Sequence, residues 1–186
     1  MIRGIAWSPA LLLLSAMLIH ASVPSLLPYD RIAILENGQV WRMLTGHWVH
    51  AGWLHGAINI SALLLLERLD HPPQKTQALL IDMLIMALAT SVLLLVFVPD
   101  LVQYTGFSGV LHGLWAQSGI RRLKTPQRWQ GIIMLTALMA KLLVEYGGNT
   151  SGNWSDIPVI PESHLLGAIA GLMIAVVKQQ KSRRMP

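Results

Sequence analysis

The sequence has no cysteine in its 186 residues. That excludes a disulfide framework, a thiolate metal site and a thiol nucleophile. Charge is also scarce, at 12% of residues, against about 25% in soluble domains. Such a chain lacks the polar surface for a water-soluble fold. No internal repeat and few charges within apolar segments argue against a transporter. The absence of a His-Glu-x-x-His run, with poor spacing of His50 and His55 for shared ligation, argues against a metal-dependent hydrolase. What fills the chain instead is apolar sequence: 53% hydrophobic residues and a mean hydropathy of +0.51. These residues come in long blocks, and at roughly 20 residues per span the length allows about six crossings with short loops. The net charge of +5 sits in short basic runs beside those blocks, a pattern of membrane orientation and not of nucleic-acid binding.

The expected architecture is an all-α membrane protein of six transmembrane helices, a single domain over residues 1–186, with spans near 5–23, 50–66, 77–98, 108–120, 129–146 and 162–177. The first span follows Arg3 and reads as a retained helix, not a cleaved leader, with His20 at its interfacial end. Residues 24–46 are too polar to cross and too apolar for a free loop. They read as an interfacial segment, with Trp41 in an aromatic belt and Arg42 at a phosphate. Asp82, near the cytosolic end of the third span, is expected to reach interfacial water. The fourth span is short: about 20 Å at 1.5 Å per residue, against a hydrocarbon core of about 30 Å. Its start must therefore lie below the membrane surface, covered by protein or water. Residues 147–161, rich in glycine, asparagine and proline, read as a mobile connection. Of the 14 Lys and Arg residues, eleven collect on one side, leaving Arg31 and Arg42 opposite and Lys141 within a span. The positive-inside rule then puts both termini in the cytoplasm.

Polar residues within these spans concentrate toward the outer half. Gly106-Phe107-Ser108-Gly109 opens the fourth span, where glycines admit a close backbone approach and free amides of a first helical turn could hold an oxyanion. Taken alone, the same run also reads as a small-residue helix start for close packing. His55 and Asn59, four apart, share a helix face as candidate oxyanion donors; His50, five from His55, would sit about 140° round the same helix. His164 opens the last span. Gly167 and Gly171 after it, and Gly109 and Gly113 in the fourth span, form two small-xxx-small faces. Packing those faces would bring Ser108 and His164 to one depth. There the imidazole can take the hydroxyl proton and return it to a leaving amine. With no carboxylate expected at that depth, the arrangement reads as a dyad and not a triad. A non-proteolytic binder of membrane helices remains the alternative from another class.

In order and spacing, Gly-x-Ser-Gly on the fourth helix, His-x4-His-x3-Asn on the second, His-x2-Gly-x3-Gly on the sixth and Trp-Arg in the first loop resemble the rhomboid intramembrane serine proteases. The resemblance implies a rhomboid bundle with Ser108 as nucleophile and His164 as base, and no cofactor. His55, Asn59 and the Ser108 amide would form the oxyanion hole, with His50 in support. Transmembrane or membrane-proximal substrates would enter between the second and fifth helices. Many members carry Tyr where this chain has His112, four residues after the serine. The Gly-Phe-Ser-Gly-Val-Leu-His-Gly run is similar to the rhombosortase branch of Gram-negative bacteria. That implies an inner-membrane protease acting from the periplasmic half on C-terminal Gly-Gly, hydrophobic and basic tails. His112 then packs on the catalytic imidazole, with a role as second base the lesser reading.

Overall fold

The computed structural model describes residues 14, 25–69, 74–147 and 159–184. The first expected span therefore lies outside the described residues apart from Leu14, as does most of the 147–161 connection. The described elements are β1 (Tyr29–Asp30), α1 (Arg31–Leu35), α2 (Arg42–Trp48), α3 (Trp53–Leu69), α4 (Thr76–Phe97), β2 (Gln103–Tyr104), α5 (Ser108–Arg122), α6 (Arg128–Tyr146) and α7 (Pro161–Arg184). Among the described residues, α4, α6 and α7 are long and apolar enough to cross a membrane. Counting α2 and α3 as one broken span adds a fourth.

The stretch ahead of α3 is structured. Asp30 caps α1 by accepting from the Ala33 amide at 2.9 Å, a helix start that Asp suits. β1 pairs antiparallel with β2, matching Tyr29 to Tyr104 and Asp30 to Gln103. Arg42 departs from expectation. It is 6% exposed and points into the protein, donating to the Pro28 carbonyl at 2.8 Å, the Ser25 carbonyl at 2.9 Å and Gln39 Oε1 at 2.7 Å. Its planar fork holds a folded loop where a phosphate contact was expected. Trp41 is exposed, as an interfacial ring would be.

The second helix starts later than the sequence suggested. The chain turns by 91° between α2 and α3, so His50 lies in the bend ahead of α3. Asp82 also differs from expectation: it is 1% exposed and accepts from Gln74 Nε2 at 2.7 Å and from Lys178 Nζ. A carboxylate buried among apolar helices has to be paired. α7 runs on through the basic residues after Val177 to Arg184.

α5 is the centre of the bundle. Eleven of its 15 residues are buried, and it is about 22 Å long, too short to cross alone. Leu63 of α3, Met83 and Met86 of α4, and Phe107, Val110 and Leu114 around α5 form the main core. A second cluster joins Tyr29 and Tyr104 to Leu94 and Leu166. The outer faces carry exposed apolar residues such as Ile58, Val96, Leu143 and Val177, a surface that suits lipid and not water. α5 and α7 meet backbone to backbone. A Cβ on Gly113 would lie 2.7 Å from the Gly167 carbonyl oxygen, and one on Gly167 or Gly171 would overlap the carbonyl of Gly109 or Gly113.

Candidate active site

Ser108 is the first residue of α5 and His164 lies in the first turn of α7. The glycine contacts between the two helices set these starts side by side. His164 Nε2 lies 2.8 Å from Ser108 Oγ. The segment leading to Ser108 is pinned from several directions. The Gly106 amide donates to the Gly46 carbonyl at 3.0 Å, Tyr104 Oη donates to the Gly106 carbonyl at 2.5 Å, and the Phe107 amide donates to His50 Nε2 at 3.3 Å. Gly106 has φ +130°, a left-handed conformation that side-chain-bearing residues rarely adopt.

His50 and His55 meet edge to face, their centroids 5.1 Å apart. The 140° separation expected of them fails because His50 precedes the helix. The His55 ring lies against Gly106, where a Cβ would fall 2.7 Å from Cε1. Asn59 is 3% exposed, and its side-chain amide donates to the His55 carbonyl at 3.0 Å, which leaves its second N–H for another acceptor.

The His112 ring stacks on His164, with centroids 4.1 Å apart and planes at 8°. Its Nδ1 is 2.7 Å from the Ser108 carbonyl. A carbonyl only accepts, so Nδ1 carries the hydrogen and Nε2 keeps the lone pair; Nε2 is buried without a partner among the described residues.

One residue was missed by sequence reasoning. Glu145, near the end of α6, sets Oε2 2.8 Å from His164 Nδ1, and its other oxygen accepts from Lys141 one turn earlier. The expectation that no carboxylate reaches this depth is therefore corrected. The signal was available: adjacent spans run in opposite directions, so the end of the fifth and the start of the sixth face the same side.

The ligand atoms of His112, Glu145 and His164 lie within 4.8 Å of one another. A metal bonds to the in-plane lone pair of an imidazole, and two parallel stacked rings do not aim those lone pairs at one point. The donor set thus fits a metal poorly. Beside these groups opens a cavity of about 460 Å³, walled by apolar residues including Leu54 and Ile58 of α3, Trp115 of α5 and Leu138 of α6. A hydroxyl, an imidazole and a carboxylate in sequence, facing such a cavity, can pass a proton and attack a carbonyl.

No curated protein matches the chain. The family described as Rhomboid domain matches residues 37–181, which takes in every residue of the constellation above. The chain belongs to the rhomboid family of intramembrane serine proteases.

Proposed function

We propose that this chain is an intramembrane serine endopeptidase with Ser108 as nucleophile and His164 as general base. The observation that carries the reading is the 2.8 Å approach of His164 Nε2 to Ser108 Oγ. In the first step the Oγ–carbon bond forms and the hydroxyl proton passes to Nε2. As the scissile C–N bond breaks, that proton goes to the leaving amine, and a water activated in the same way resolves the acyl-enzyme. The oxyanion is held by the Ser108 amide with His55 and Asn59. His50 and Gly106 fix the approach to the serine, and His112 packs on the base. Gly109, Gly113, Gly167 and Gly171 set the separation of the two helices.

The substrate is a membrane-anchored protein that reaches the apolar cavity from the bilayer. Within the family the chain fits the rhombosortase branch, on its Gly-Phe-Ser-Gly-Val-Leu-His-Gly run. Its substrates are then secreted proteins ending in a Gly-Gly, hydrophobic and basic tail. The protein is a single six-span domain of a bacterial inner membrane, with both termini cytoplasmic and the site in the periplasmic half.

An alkyl fluorophosphonate tests this reading, because it reacts only with an activated serine. Labelling should occur in the wild type, be indifferent to EDTA and vanish in Ser108→Ala. Equal labelling of Ser108→Ala rejects the assignment, and activity lost with EDTA favours metal chemistry. A second expectation concerns the loop. Gly106→Ala combines a disfavoured φ with a Cβ 2.7 Å from the His55 ring. Strain of about 1–3 kcal/mol should slow labelling about fivefold or more, and wild-type rates in that variant would show that the loop yields freely.

A further inference from the structure

We infer that Glu145 is the orienting carboxylate of a Ser108–His164–Glu145 relay, so that the site works as a triad. The inference rests on the serine-protease reading above. Oε2 of Glu145 lies 2.8 Å from His164 Nδ1, and His164 Nε2 lies 2.8 Å from Ser108 Oγ, so the two ring nitrogens are engaged on opposite sides. An ionised carboxylate only accepts, which places the imidazole hydrogen on Nδ1 and leaves the Nε2 lone pair facing the hydroxyl. That is the tautomer a general base requires.

Burial points the same way. The side chains of Glu145 and His164 are 9% and 8% exposed, and a carboxylate at the wall of an apolar cavity is costly unless paired. Glu145 divides its oxygens, one toward Lys141 of its own helix and one toward His164. A carboxylate serving only Lys141 has no need to reach a neighbouring helix. When His164 takes the serine proton, both ring nitrogens carry hydrogen, and the negative charge of Glu145 stabilises the resulting imidazolium. The His112 ring meanwhile covers one face of His164, so Glu145 and the stack together leave the ring one orientation. Glu145 is a positioning residue, acting through His164 without touching the substrate.

The test uses the full chain in detergent and the saturation kinetics of fluorophosphonate labelling, which separate the maximal rate from half-saturation. Glu145→Gln keeps the shape, but with its carbonyl oxygen held by Lys141 its amide NH2 faces Nδ1 and favours the wrong tautomer. The maximal rate should fall about 100-fold or more, with half-saturation within twofold of wild type. Combined with His164→Ala, it should add nothing further, because the two act as one unit. If Glu145→Gln does not fold, Glu145→Asp, which sets the charge back by one methylene, should show the same split. A maximal rate within threefold of wild type, a loss carried by half-saturation, or an additive double variant overturns the inference. Ser108→Ala separates the two levels: labelling there rejects the protease reading, whereas a vigorous Glu145→Gln rejects only the triad.

Discussion

His164→Ala is expected to lower proteolysis at least about 10⁴-fold, whereas His112→Ala should lower it about tenfold at most. The first substitution removes the proposed proton acceptor 2.8 Å from the Ser108 hydroxyl, and loss of the base in a serine relay costs several orders of magnitude in turnover. The second removes a stacked ring worth roughly 1 kcal/mol, together with the hydrogen bond from Nδ1 to the Ser108 carbonyl. That bond commits Nδ1 to the backbone, and Nε2 makes no hydrogen bond to Oγ, so His112 is poorly disposed to take its proton. Turnover of one membrane-anchored substrate by both variants, with equal folded fractions, decides the matter. Near-normal rates in His164→Ala would sink the assignment, and an inactive His112→Ala would raise His112 from packing partner to base.

Gly171→Val should be the most damaging change outside these side chains. A Cβ there would overlap the Gly113 carbonyl, and a backbone carbonyl on a fully packed helix has no rotamer to yield. The α5–α7 pair would have to part, at a cost of about 3 kcal/mol or more. Parting it also lengthens the Ser108–His164 approach. The expected result is a large fall in the melting transition together with proteolysis below about 1% of wild type, and Gly171→Ala should fall between the two. Wild-type melting and activity in Gly171→Val would mean that the helices are not held by this contact.

The sequence was most readable where a span and its chemistry were local. The short helix opening at Ser108, the two glycine faces and the helical register of His55 with Asn59 all lie within one or two turns of chain. Features that depend on a neighbour were harder. The turn at residues 49–52 has no proline, so His50 was assigned to a helix that begins only at Trp53. β1 and β2 are two residues each, too short to leave an alternating pattern. Asp82 finds Lys178 across 96 residues of sequence, and the folded loop around Arg42 offered carbonyls that no periodicity announces. Glu145 was overlooked because it sits in an apolar helix with a lysine one turn earlier, a pair that looks self-contained.

The attachment of α6 carries one more consequence. Near its start, Gly131 lies against the Gly119 carbonyl, with 2.6 Å left for a Cβ, while beyond that point only Met134 and Leu142 are buried. A helix held most closely near its start could swing as a lever about that end, with Glu145 about 21 Å along the arm. A swing of about 10° about that fulcrum, over the same arm, would displace the carboxylate by about 4 Å and free the His164 ring. On the triad inferred above, a swing of that size would part Glu145 from His164 and so leave the base without its orienting carboxylate.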